Sequence, residues 1–213
     1  MINNNYFDTP ILLISWCRPE KTQKIIERIK SIRPKKLYLA SDGPISNDEK
    51  NKKKVELNRA LLNKEIDWLC EKKILYSDFN QGCKYGVSNA INWFFENETE
   101  GIILEDDCLP HLDFFYFCRD LLKIYRDDER IWSITGQNMQ NNKIHGRASY
   151  YFSKYSHCWG WASWRRCWDK YDRDIKSWPA NKELHNLKNI FENKKETKFW
   201  SNILDNLYYE SRP

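Results

Sequence analysis

Short apolar bursts alternate with stretches of helical spacing along the first two thirds of the chain, and that alternation restricts the fold more than any other feature. Ile11-Leu12-Leu13-Ile14-Ser15-Trp16 is short and continuous, which suits a strand buried on both faces. Pro19 then stands at a first helical position, Ile25, Ile26, Ile29 and Ile32 recur at helical intervals, and Arg33-Pro34 ends the run. The order then repeats: strand 36–41, closed by Asp42-Gly43-Pro44; helix 47–64; strand 73–76; and a loop over 78–82. A helix with Val87, Ala90, Ile91, Phe94 and Phe95 on one face follows, then strand 101–104, a helix over 114–125 and strand 131–135. Residues 66–70 either extend the second helix or form a turn of their own. This pattern predicts an α/β, Rossmann-like fold: a mostly parallel central sheet flanked on both faces by helices. Ligands of such sheets bind beyond the carboxyl ends of the strands.

After Gln137 the pattern changes to a polar loop through Gly146, an aromatic stretch from Tyr150 to Tyr171, and two helices over 181–193 and 198–209. At 213 residues the expectation is one domain, with residues 1–137 as its ligand-binding half and 138–213 as the start of a second half. Lys and Arg number 35 against 30 Asp and Glu, and the charge is spread along the chain. The densest basic run, Lys50 to Lys54, reads as the solvated face of a helix, so nucleic acid is not an expected partner. The basic balance is compatible with peripheral attachment to anionic membrane lipids. Seven cysteines form no CxxC pair, which points to reduced thiols and a cytoplasmic location, at the inner face of a membrane if attached. Met1 to Asp8 has no secretion-signal pattern, and no run approaches the ~18 apolar residues of a membrane span.

The strand 101–104 runs straight into Glu105-Asp106-Asp107. Three carboxylates at one strand terminus repel each other, and a cation or several donors would relieve them. Mg²⁺ and Mn²⁺ take carboxylate, phosphate and water oxygens and commonly use one or two protein carboxylates. The competing reading is that the triplet only solvates a strand end and begins a turn before Pro110.

Other candidates have similar pairs of readings. Arg18 is either a nucleotide contact or an ordinary charge at a helix start. Asp42 either accepts a hydrogen bond from a base or ribose, or forms the turn before Gly43-Pro44. Gly82 and Lys84 resemble a phosphate loop loosely, and loop plus helix start is the simpler account. Trp159-Gly160-Trp161, with Trp164 and Trp168, either line a sugar site or pack a helix on the sheet; the i to i+4 spacing of Trp164 and Trp168 favours packing for that pair, and Gly160 between two large rings suggests close backbone approach. His111, His145, His157 and His185 are scattered and none is assigned.

Four ordered stretches resemble a known family: Ile14-Ser15-Trp16-Cys17-Arg18, Ala40-Ser41-Asp42-Gly43, Ile103-Leu104-Glu105-Asp106-Asp107 with Phe114-Phe115 following, and Cys158-Trp159-Gly160-Trp161. Together, from the first strand to about Trp178, they resemble GT-A fold nucleotide-diphospho-sugar transferases, specifically bacterial relatives of animal N-acetylglucosaminyltransferase I. The resemblance implies that Arg18 and Asp42 touch the nucleotide, Glu105 faces the donor sugar, Asp106 the ribose or metal shell, and Asp107 ligates Mn²⁺ or Mg²⁺. It places Gly160 and Trp161 near the donor sugar and acceptor. The implied activity is inverting transfer from a nucleotide sugar, UDP-linked, to a polysaccharide or glycan acceptor in bacterial surface-polysaccharide synthesis. Two departures stand out. Ala90 occupies the place of a nucleotide-contacting histidine, and the acceptor's base, an Asp after Trp, is expected past Pro213, since Trp168-Asp169 falls on the preceding helix.

Two other functions share these features. A sugar-phosphate nucleotidyltransferase would need a Gly-rich basic loop where Cys17-Arg18-Pro19-Glu20 stands. A degenerate GT-A module would bind carbohydrate or a partner without transferring sugar.

Overall fold

The computed structural model describes residues 6–140, 143, 146–183, 186–191 and 193–209. The chain divides into two compact units, residues 1–169 and 170–213.

The first unit is an α/β fold on a six-stranded, mostly parallel sheet of order β3-β2-β1-β4-β6-β5. Its strands are β1 (Ile11–Ser15), β2 (Lys36–Ser41), β3 (Glu71–Tyr76), β4 (Glu100–Glu105), β5 (Ser133–Thr135) and β6 (Trp161–Trp164). Helices α1 (Pro19–Ile32), α2 (Glu49–Glu65), α3 (Gly82–Asn97) and α4 (Leu112–Ile124) connect the first five, and α5 (Arg165–Trp168) follows the sixth. The apolar bursts are buried on both faces because successive side chains point opposite ways. Ile11, Leu13, Leu37, Leu39, Ile102 and Leu104 face a core with α1 and α4, whereas Leu12, Ile14, Tyr38, Ala40 and Ile103 face one with α3.

Parallel pairing of β1 with β2 and β4 brings Ser15, Ser41 and Glu105 to the same end of the sheet. The element the apolar pattern did not reveal is β6. It runs antiparallel to both β4 and β5, inserted between them, so the aromatic stretch belongs partly to the sheet. Trp164 and Trp168 therefore do not share a helix face. Trp164 closes β6 inside the α1/α4 core with its indole N–H on Leu122 O at 3.2 Å, and Trp168 ends α5 and donates to Asn92 Oδ1 at 2.7 Å. The change of pattern after Gln137 lies inside the first unit, because β6 returns to the sheet.

Helix α2 begins two residues later than its polarity suggests. Asn47 is left-handed (φ 62°), and Asp48 is the N-cap, its carboxylate accepting from Asn51 N–H at 2.9 Å. Asp48→Ala is expected to cost about 1 kcal/mol, a fall in Tm of roughly 2–4 °C for a protein of this size. A thermal melt within 0.5 °C of the unchanged protein would show that the cap contributes nothing.

The second unit contains α6 (Trp178–Glu183), α7 (Leu187–Ile190) and α8 (Lys194–Tyr209). Asp205 accepts from Trp178 Nε1 at 3.0 Å and pairs with Lys182 Nζ at 2.8 Å, tying α6 to α8. Phe191 and Trp200 stack nearly parallel, 6.0 Å apart. The helix expected over 181–193 is thus not continuous; Leu184, His185 and Glu192 lie outside the described residues, as does His145. Among the described residues no helix is long and apolar enough to cross a membrane, and the seven cysteines are free thiols.

Candidate functional site

The carboxyl ends of β1, β2 and β4 are fastened to one another by side chains. Trp16, the residue after β1, donates its backbone N–H to Asp106 Oδ2 at 3.1 Å and its indole N–H to Gly43 O at 2.8 Å, linking three strand ends. From α2, Arg59 donates to the carbonyls of Ser41 (3.2 Å), Asp42 (3.2 Å) and Ser77 (2.6 Å) while its guanidinium lies over the Tyr76 ring. Neither Trp16 nor Arg59 stood out as a site residue. Arg59 sits among many charges on a polar helix, and only the fold brings three carbonyls to it.

Beyond these ends lies a cavity of about 710 Å³ whose wall includes Trp16, Arg18, Asp42, Asn80, Gln81, Glu105 and Asp106. Arg18, at the N-cap position of α1, reaches back over the acidic turn. Its NH2 lies 2.6 Å from Asp106 Oδ1, an ion pair without hydrogen-bond alignment, and its NH1 donates to Asp107 Oδ2 at 2.9 Å. Asp106 is 1% exposed. Burial pushes the carboxyls of Glu105 and Asp106 above their ordinary values; neighbouring carboxylates add to this, and Arg18 opposes it. The repulsion expected within the triplet is thus opposed from inside the protein, by a guanidinium, but not removed.

The triplet does not gather into one cluster. Glu105 and Asp106 line the 710 Å³ cavity, but Asp107 lines a larger one on the other side of the turn, together with Gly160. Among the described residues no three His, Cys, Asp or Glu side chains converge as a metal cage. Asp106 and Asp107, joined through Arg18, remain a pair of hard oxygen donors. One or two such carboxylates are what Mg²⁺ or Mn²⁺ takes when phosphate and water complete the shell; here Asp106 Oδ2 already accepts from Trp16 N–H and Oδ1 faces Arg18, so an ion would have to share the pair with the guanidinium, and Asp107 is its more accessible donor.

Asp42 has a different environment from the one expected of a base contact. Its Oδ1 accepts from the N–H groups of Gly43 (2.8 Å) and Gln81 (2.9 Å), and its Oδ2 from Asn80 Nδ2 (3.0 Å) and Gly82 N–H (3.1 Å). Four donors occupy the carboxylate's lone pairs, so the turn-forming reading carries its geometry. Two of these bonds use the N–H groups of Gln81 and Gly82 at the start of α3, so the Gly82 N–H is already engaged by Asp42. Lys84 is not part of that cavity's wall; its ammonium lies 5.7 Å from the Tyr85 ring centroid.

Gly160 has φ +75°, a conformation that favours glycine, and a Cβ there would meet only ordinary contacts, the nearest at 3.5 Å. Its requirement is backbone angle, not the close approach expected between two large rings. Trp161 pairs with Ile103 across β4 and packs 6.3 Å from Trp168, and it lines neither cavity. Ala90 is buried in the α3 core, its position on the wall of the smaller cavity. Asp169 follows α5, its backbone N–H bonded to Arg165 O at 2.8 Å, as its place in the sequence suggested.

No family model matches the chain, and no curated protein matches it. Among solved structures, 4-diphosphocytidyl-2C-methyl-D-erythritol synthase from Anaerococcus prevotii is similar with a TM-score of 0.42, at 8% identity over 76% of each chain. A likeness at that level adds nothing to the sheet order described above.

Proposed function

We propose that the 710 Å³ cavity binds a nucleoside diphosphate sugar, UDP-linked, and that the protein transfers the sugar to a glycan. The observation that carries this reading is the placement of one guanidinium, Arg18, between two carboxylates at the mouth of a pocket beyond the strand ends. The volume lies within the ~300–1,000 Å³ of small-molecule sites. Asn80, Gln81 and Asn89 line its wall with amides already bonded to Asp42, Ser77 and each other, so a base would meet them through their remaining hydrogen-bonding capacity, and Trp93 supplies a ring. Asp42 acts indirectly, by holding the 80–82 loop that forms this wall.

Glycosyl transfer puts negative charge on the departing diphosphate, and preorganised cations are the strongest means of stabilising it. Arg18, on the cavity wall and held by its two carboxylates, would meet that charge with little reorganisation. Asp106 and Asp107 would hold Mn²⁺ or Mg²⁺, and such an ion, when bound, neutralises phosphate charge as a Lewis acid. Glu105, on the same cavity wall, would hydrogen-bond a donor-sugar hydroxyl. The connection after β1, Trp16-Cys17-Arg18, contains no glycine, which weighs against a nucleotidyltransferase grip on a triphosphate.

Calorimetry with UDP, in the presence of Mn²⁺ and then of a chelator, tests the reading. Binding is expected only with the ion, and Asp107→Ala is expected to weaken it about tenfold, the loss of one charged contact. UDP binding that ignores both the chelator and the substitution removes the metal role, and no UDP binding at all removes the donor reading.

A further inference from the structure

The larger cavity, about 1300 Å³, opens on the far side of the acidic turn, within the same unit. Asp107 and Gly160 form its wall nearest the sheet, and α4 with the segments after β5 and before β6 forms the rest. Its most conspicuous residues are aromatic and not fully covered. Phe152 is 66% exposed and Trp159 60%, with Trp132, Tyr151 and Tyr155 also on the surface of the same wall. Clustered exposed rings around a concavity mark a site that something else covers.

Three further observations restrict what that is. The charged groups of the wall cancel, Asp107, Asp113 and Asp128 against Arg130, Lys143 and Lys154, and Arg130 is engaged with Asp128 at 2.7 Å. A phosphate-bearing ligand would want a surplus of cations there. Polar groups are interspersed with the rings, namely Thr135, Gln137, Asn138 and His157, which a lipid chain would leave unsatisfied. Gln137 in particular is poorly matched: its amide nitrogen donates to Met139 Sδ at 3.3 Å, a weak acceptor, and its amide oxygen is buried with no hydrogen-bond partner. Leaving such an oxygen unpaired is unfavourable, and a hydroxyl from a ligand would relieve it after a small side-chain shift.

A neutral oligosaccharide meets all three conditions. Each sugar ring presents a face of C–H groups, slightly positive, to the negative face of an aromatic ring, and a rim of hydroxyls to amides and side-chain hydroxyls. The volume exceeds the usual range for one small ligand, which suits more than one sugar unit. We propose that this cavity binds a neutral oligosaccharide of at least two units as the acceptor, stacked on Trp159 and Phe152, with its reacting end presented at Asp107 and Gly160. The acceptor assignment rests on the glycosyl-transfer reading; the binding of a neutral oligosaccharide does not.

The test uses the whole chain and a set of neutral di- to tetrasaccharides built from glucose, galactose and N-acetylglucosamine, with binding read by saturation-transfer NMR and calorimetry. At least one is expected to bind, longer members more tightly than disaccharides. Trp159→Ala and, separately, Phe152→Ala are expected to weaken that binding at least tenfold and to leave UDP affinity within twofold. Both rings are largely exposed, so unchanged circular dichroism is expected, and two variants guard against one that misfolds. UDP binding with no saccharide binding overturns the cavity proposal and leaves the donor reading intact. Saccharide binding that survives both substitutions also overturns it, as does a preference for phosphorylated sugars or for detergent. Saccharide binding without UDP binding keeps the cavity and removes its role as acceptor site.

Discussion

Arg18→Met is expected to destabilise the protein by about 2 kcal/mol and to weaken UDP binding by at least tenfold. Asp106 is almost fully buried, and among the described residues the Arg18 guanidinium is the counter-charge paired with its Oδ1. Removing one partner of such a pair leaves a desolvated carboxylate, a loss of about 3–5 kcal/mol when both partners are buried. Arg18 is 40% exposed on its side chain, so water would take up part of the loss and the lower figure applies. If the guanidinium is the carboxylates' resident cation, Asp106→Asn in the Arg18→Met background should restore stability, with a coupling of at least about 1 kcal/mol in urea denaturation. Mn²⁺ should also stabilise Arg18→Met more than the unchanged protein, since the ion then has the two carboxylates without sharing them with a guanidinium. Equal stabilisation of the two by Mn²⁺, or strict additivity of the two substitutions, would show that Arg18 and the acidic pair act independently.

Gly43→Ala is expected to cost about 3 kcal/mol, the upper end for overpacking, and to abolish UDP binding. A Cβ on Gly43 would lie 2.4–2.5 Å from the backbone C, N and O of Phe79. Backbone cannot swing aside as a side-chain tip can, so the turn after β2 and the 78–82 loop must part. That separation breaks the bonds from Gln81 and Gly82 to Asp42 and from Asn80 Nδ2 to Gly43 O, which together shape one wall of the cavity. Urea denaturation and UDP calorimetry on the same preparation give both readouts. Wild-type stability in the variant would mean that the loop is looser than its hydrogen bonds imply.

Much of the sheet was legible because β1, β2 and β4 are buried on both faces. A run such as Ile11 to Ser15 has no polar face to offer, and Pro19 followed by isoleucines at helical spacing marks the next element. Parallel strands separated by helices then place every βα turn at one edge, so Arg18, Asp42 and the acidic triplet could be assigned to that edge. Strand β6 was not legible, because Trp161-Ala162-Ser163-Trp164 is four residues long with no clear period, and its two tryptophans mimic a core helix. The role of Asp42 was not legible either. Turn propensity and ligand binding ask for the same residue, and the donors that decide between them come from residues 80–82, some forty positions away.

The amino-acid sequence alone determined the alternation of strand and helix, the edge at which the chemistry collects and the kinds of side chain brought there. Those follow from local periodicity and from which residues avoid water, and both are properties of short stretches of chain. Only the tertiary structure decided that Arg18 lies between Asp106 and Asp107, that Asp107 faces a different cavity from Glu105, and that Asp42 is consumed by α3. Each depends on distances between segments far apart in sequence, where a contact forms only once the sheet has set the separation of its strand ends.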